Sequence, residues 1–246
     1  MILTPATLRA GTAKLAGRSC RVQIVDANLD GRYGSAFPQN SLLACDLFAM
    51  DLNGNGRLDV GSVDSGEIMP LPKMIQVGGA WYDVAVGPDG SGIGFERAEP
   101  QWGTLDVGSP DVELRLFSDS GFHWLKGSGG KWKVPVGNYM TVDVAMRRTE
   151  RGAAWSLECD WPGGKLQNFS VRRDETTQLL AGPPLVGEVR TDLYDNSLML
   201  SFALRGRAGE EYEAGARRNG RSQPAPSFVI QDETGKELAS GKFEYG

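Results

Sequence analysis

At 246 residues the chain has room for one large β domain or two to three small ones, and its 40% hydrophobic and 23% charged residues are those of a folded protein. A net charge of −5 leaves no broad basic surface to neutralise phosphates, which argues against nucleic acid as a partner. No run approaches the roughly 18 apolar residues of a spanning helix, and the 33 glycines and 13 prolines predict many turns between short strands.

Met1 to Ala10 lack the basic start and long apolar segment of a signal peptide. Cys20, Val22 and Ile24 alternate with Arg21 and Gln23, the period of a half-buried strand. That strand feeds the loop Asp26-Ala-Asn28-Leu-Asp30-Gly31-Arg32. The same pattern returns 25 residues later, Asp26 to Asp51, as Cys45 and a short apolar run feeding Asp51-Leu-Asn53-Gly-Asn55-Gly56-Arg57. Oxygen side chains at places one, three and five with glycine at six wrap a chain around a hard cation, because alternate side chains converge while glycine permits the sharp turn.

Over about nine residues each, the loops resemble those of EF-hands, dockerins and thrombospondin type 3 repeats. The resemblance implies calcium as the bound ion. In loop one, Asp26, Asn28 and Asp30 would offer side-chain oxygens and Arg32 its carbonyl. In loop two, Asp51, Asn53, Asn55 and the Arg57 carbonyl correspond, with Asp59 reaching the ion directly or through water. Both depart from the EF-hand at place twelve, where Phe37 and Ser62 stand instead of a bidentate glutamate, and neither is flanked by helix patterns. Weak sites follow, since charge and ligand number tune calcium affinity. Two completions are open: Asp46, Asp64 or Glu67 enters from outside the loop, or the loops share ions if their strands lie side by side. Turn chemistry alone also explains Asn-Gly and Asp-Gly; the repeated oxygens at places one and three are what favour an ion. Magnesium fits less well because it retains its waters.

Cys20 and Cys45 hold equivalent places in the two copies, so adjacent strands would bring them within reach of a disulfide; otherwise they and Cys159 are buried thiols packing as small hydrophobes.

Residues 73–77, 81–86 and 93–97, separated by Gly78-Gly79 and Gly87 to Gly90, read as a β-meander. Glu99 to Gly103 interrupts the alternation, so 1–103 reads as one β domain carrying both loops. Beyond it, Val112, Leu114 and Leu116 alternate with charges, and Gly127 to Gly130 forms a hairpin tip. Val134-Pro135-Val136-Gly137-Asn138-Tyr139 then resembles the Leu-Pro-x-Gly-x-Tyr turn of prealbumin-like and carboxypeptidase-regulatory-like sandwiches. Strands at 155–159, 168–171 and 176–180 complete a sandwich module over 104–183. Ala181 to Pro184 reads as a linker. Alternation at 186–190, 198–204, 228–231 and 238–243 resembles an immunoglobulin-like module over 184–246, with 205–211 and 215–226 as exposed, mobile loop. The fold class is therefore all-β: a small N-terminal β domain with calcium loops, then one or two β-sandwich domains.

His123 is the only histidine, which excludes a multi-histidine zinc cluster, and between Phe122 and Trp124 it reads as a packed or partly exposed strand residue. No glycine-rich phosphate loop with Lys-Ser/Thr occurs. Trp124, Trp132, Trp155 and Trp161 are either core or a stacking surface for sugar rings. The chain is similar to uncharacterised exported bacterial proteins that join calcium loops to immunoglobulin-like modules. The expected function is a non-catalytic, calcium-binding structural or interaction protein, secreted or of the periplasm or cell envelope, where calcium is on the order of millimolar. Its other partners would be envelope proteins or glycans. The alternatives are a carbohydrate-binding sandwich and a hydrolase using two carboxylates roughly 5 to 9.5 Å apart.

Overall fold

The structure, a computed structural model, describes residues 8–37, 44–61, 65–195, 197–212 and 215–243, and it is all-β. β1 (Leu8–Leu15), β2 (Arg18–Val25), β3 (Leu47–Met50) and β4 (Ile68–Pro70) form an antiparallel sheet in chain order. β5 (Met74–Val77), β6 (Ala80–Val86) and β7 (Ile93–Ala98) are the meander expected from their glycine turns. The two sheets pack through Val22, Ile24, Phe48 and Met50 on one side and Ile75, Val77 and Tyr82 on the other. β1 carries no sequence signal because all but its last residues are exposed.

β8 (Trp102–Asp106) begins inside the stretch that reads as a domain boundary. Its Gly103 is there for space: a Cβ would collide with the Arg172 carbonyl and the Val171 side chain. β9 (Val112–Ser118), β10 (Gly121–Leu125), β11 (Lys131–Pro135), β12 (Gly137–Glu150), β13 (Ala153–Asp160), β14 (Asn168–Val171) and β15 (Thr176–Gln178) follow. β11, β8 and β15 form one small sheet, while β10, β9, β12 and β13 run through a larger one that β14 joins at β12. Leu105, Trp132 and Val134 of the first face Leu114, Leu116, Val144 and Leu157 of the second, a sandwich-like arrangement. At the turn between β11 and β12, the Tyr139 hydroxyl donates to the Pro135 carbonyl at 2.5 Å, tying the corner across four residues.

The larger sheet is covered on both faces. Leu116 and Val144 enter the sandwich core, while Phe117, Met140 and Val142 pack into the N-terminal core. That explains why Tyr139 to Ala145 is an unbroken buried run rather than an alternating one. Packing therefore crosses residue 103. It also crosses 183, because Ala208 and Tyr212 join the sandwich core.

β16 (Val186–Tyr194) pairs with β17 (Ser197–Arg205), β18 (Arg217–Arg218) and β19 (Arg221–Ser222) extend the large sheet beyond β13, and β20 (Ser227–Gln231) pairs with β21 (Glu237–Lys242). The 205–211 segment, expected as exposed loop, instead carries a fully buried Glu210. Its carboxylate accepts the Gly182 and Ala208 amides and the Tyr212 hydroxyl, and Gly206 is the one residue whose backbone can lie against it. Among the described residues no helix is long and apolar enough to cross a membrane.

Candidate metal centre

β2 and β3 lie side by side but antiparallel, with Val25 opposite Leu47 and Val22 opposite Met50. Loop one thus leaves one end of the pair and loop two the other: Asp26 follows Val25, whereas the Asp51 amide donates to the Arg21 carbonyl. Five residues of register separate them, roughly 17 Å along a strand. Ions shared between the loops are ruled out by that distance.

The two loops fold alike. In loop one, Asp26 accepts the amides of Asp30 (3.2 Å) and Gly31 (2.9 Å), Asn28 accepts Asp30 (3.2 Å), and Asp30 accepts Arg32 (2.8 Å). In loop two, Asp51 accepts Gly54 (2.7 Å) and Gly56 (2.9 Å), Asn53 accepts Asn55 (2.8 Å), and Asn55 accepts Arg57 (2.8 Å). The glycines at place six share one left-handed geometry, φ 79° at Gly31 and 78° at Gly56. Place four is left-handed too, at φ 79° for Gly54 and 60° for Leu29, so loop one holds with a leucine a conformation that suits glycine. Each accepting oxygen keeps a second lone pair for a cation. Asp59 is exposed at the rim of loop two, its carbonyl accepting the Ser65 hydroxyl at 2.6 Å. Phe37, at place twelve of loop one, is buried in the N-terminal core; Ser62 and Asp64 lie outside the described residues.

Antiparallel pairing also brings an acid to each loop from the next strand. Asp46, just before β3, stands beside the end of β2; Glu67, just before β4, stands beside the end of β3, where its carbonyl accepts the Met50 amide. Asp46 and Glu67 are 0% exposed and Asp51 is 1% exposed. Glu67 accepts three amides, those of Leu52 and Asn53 (3.1 Å each) and Asp59 (2.8 Å). One Asp46 oxygen accepts Gly34 (2.7 Å) and Ser35 (2.9 Å), while Oδ1 is buried without a hydrogen-bond partner. Burial pushes the Asp46 carboxyl above its usual range, and the nearby Asp26 charge adds to this against the lowering by the Ser35, Gly34 and Ala27 amides. No salt bridge among the described residues engages Asp46, Asp51 or Glu67. These two backing acids are recognisable as partners of particular loops only once strand pairing is known.

An orphaned buried carboxylate oxygen beside a loop of further oxygens fits a hard cation. Among the described residues no three His, Cys, Asp or Glu side chains gather as a metal cluster, so Asp26, Asp30 and Asp46 do not converge on one point as they stand. Amide and carbonyl oxygens would supply the remainder of the donor set.

The other sequence candidates are dispersed. Cys20 and Cys45 are sent to opposite ends of the β2–β3 pair, and all three cysteines are buried thiols outside any disulfide. Burial, then the Asp46 charge, raises the Cys45 thiol to about 11. Trp132 is core; Trp124 is exposed beneath Lys126 and Arg115, and Trp155 lies under Arg218. His123 is part-buried on β10, with Nε2 2.9 Å from both Ser118 and Ser120 Oγ. Asp83, Glu99 and Asp119 line a cavity of about 320 Å³, where Lys73 pairs with Asp119 at 2.8 Å. No protein-family model, no curated protein and no solved structure matches the chain.

Proposed function

We propose that the chain is a non-catalytic, calcium-stabilised structural or interaction protein of a calcium-rich compartment, the cell envelope or the secreted fraction. The observation that carries this reading is the buried Asp46 carboxylate, whose Oδ1 makes no well-formed hydrogen bond although the Ala27 amide lies near the group, set against a loop whose oxygens stand at places one, three and five. A cation there neutralises a charge that is otherwise expensive to bury. Loop two repeats the oxygen spacing with Asp51 and Glu67 buried, but Glu67 already gives both oxygens to backbone amides, so an ion there would rest on the loop's own oxygens.

Both sites would be structural. Loops at strand ends, without flanking helices, have no helix pair to open, so an ion here stiffens the sheet rather than switching it. A weak site still matters at millimolar calcium: at ten times its Kd an ion stabilises the fold by about 1.4 kcal/mol. Calorimetry and thermal melting with and without chelator test this. Calcium should release heat and raise Tm, with Asp26→Ala and Asp51→Ala each removing the share of their own loop. Neither heat nor chelator-sensitive melting would sink the proposal.

A further inference from the structure

Where the large sheet runs out past the sandwich core, its registers line up four side chains. Arg148 of β12 stands opposite Trp155 of β13, Trp155 opposite Arg218 of β18, and Arg218 opposite Arg221 of β19. All three pairings are antiparallel, and directly opposed residues share a face, so the four make one row across the sheet. The three arginines are exposed and Trp155 is half-buried. On the other face Arg147 is already paired with Glu113 (3.6 Å) and Glu158 (3.1 Å). In the row, Arg218 and Arg221 form no salt bridge among the described residues, and Arg148 meets Asp111 only at 4.0 Å. Glu150 shares the face two residues along β12 and pairs with none of them. Like charges directly opposed across strands are destabilising, yet the hairpin that opposes Arg218 to Arg221 is firmly built. Asn219 (φ 50°) and Gly220 (φ 76°) supply the left-handed pair of a two-residue turn. Asn219 then docks that turn on β13, its amide donating to the Ala154 carbonyl (2.7 Å) and its Oδ1 accepting the Ala154 amide (2.9 Å). The Arg218 guanidinium lies 5.7 Å from the centre of the Trp155 ring, a cation–π contact that holds it over the sheet.

We propose that this row binds an acidic polysaccharide, a chain of sugars that carry carboxylates on their rings. Neighbouring strands stand about 4.8 Å apart, close to the length of one sugar residue, so a chain laid across the strands presents about one ring to each side chain of the row. A guanidinium takes a carboxylate through two parallel N–H donors. A carboxylate shared by Arg218 and Arg221 also relieves their mutual repulsion. Between Arg148 and Arg218, Trp155 offers aromatic surface to the apolar C–H side of a sugar ring. Nucleic acid fits less well, because the chain's net charge of −5 opposes a dense polyphosphate and the row has few arginines to neutralise it. A lipid surface would need apolar side chains to insert, and the row has only the half-buried Trp155. The site gives the interaction role a ligand class without resting on calcium, since both loops belong to the β1–β4 sheet.

Calorimetry in chelator, with a galacturonate hexamer as probe, separates this site from the calcium loops. The hexamer should bind, and more weakly as salt is added. Its methyl ester, the same sugars without charge, should bind about tenfold more weakly or worse. Arg218→Gln and Arg221→Gln together should cost a similar factor, whereas Arg217→Gln, turned to the other face, should cost nothing. These arginines are exposed, so the variants keep the fold, which circular dichroism checks. No binding of the hexamer, equal binding of its ester, or a double variant that binds as the unaltered chain does would each overturn the proposal. So would a loss with Arg217→Gln as large as that of the pair. Tighter binding of single-stranded DNA of equal charge, or of phosphatidylglycerol vesicles, would overturn it in favour of that other polyanion.

Discussion

Loops one and two share a backbone and a set of Asx turns, yet they dispose of their buried acids differently. Glu67 spends both oxygens on three amides and finishes loop two from protein alone. Asp46 satisfies one oxygen with Gly34 and Ser35 and leaves Oδ1 without a well-formed hydrogen bond. Loop one also keeps Leu29 in a left-handed conformation that loop two gives to Gly54. A repeated sequence has thus produced one turn whose backing acid is fully hydrogen-bonded and one whose backing acid keeps an oxygen without a well-formed hydrogen bond. The difference arises outside the repeat, in which acid the neighbouring strand delivers.

The largest test of that contrast is Glu67→Gln. It removes the charge to which three amides point and turns an NH₂ group toward at least one of them, leaving buried donors unsatisfied; the cost should be about 3 kcal/mol. For a chain of this length that is a fall in Tm on the order of 10 °C in chelator. A loss no greater than that of the corresponding change at Asp46 would erase the distinction between the loops.

Acid titration of the loops must be read over a second, independent response. Burial lowers His123 from 6.5 to about 4. The unfolded chain therefore takes up a proton near pH 6.5 that the folded chain resists until about pH 4. Stability from this group is complete above 6.5 and is lost as pH falls through that window. The size is on the order of 2 kcal/mol, reduced because the ring is only part-buried. Melting of chelated protein from pH 7.5 to 4 measures it, and His123→Gln should flatten the profile. An unchanged profile would assign the acid response to other groups and leave the loops as the first suspects.

What the sequence made legible was local. The β5–β7 meander is written in glycine turns, the β11–β12 corner in Pro135, Gly137 and Tyr139, and the loops in a six-residue spacing. Longer-range choices were invisible. Gly103 lies in a strand because the Arg172 carbonyl approaches it, and Glu210 is buried because the Gly182 amide needs an acceptor, neither of which a local pattern records. The repeat itself misled on one point. Equivalent cysteines suggested proximity, but antiparallel pairing sends successive copies to opposite ends of the sheet. That same pairing is what delivers Asp46 and Glu67 to their loops.

The finest test of the contrast is Asp46→Asn, because its two effects have opposite signs. In chelator the substitution removes a buried, half-paired charge while the amide oxygen can still accept Gly34 and Ser35, so the fold should gain up to about 1 kcal/mol. In calcium the same change removes a charged oxygen from the donor set of loop one, so the stabilisation by the ion should shrink. The unaltered protein and the variant should therefore exchange rank as calcium is added. Melting curves across a calcium titration measure the crossing. Parallel curves, with the variant above or below throughout, would mean that Asp46 is an ordinary buried acid and that the two loops differ only in how their carboxylates are packed.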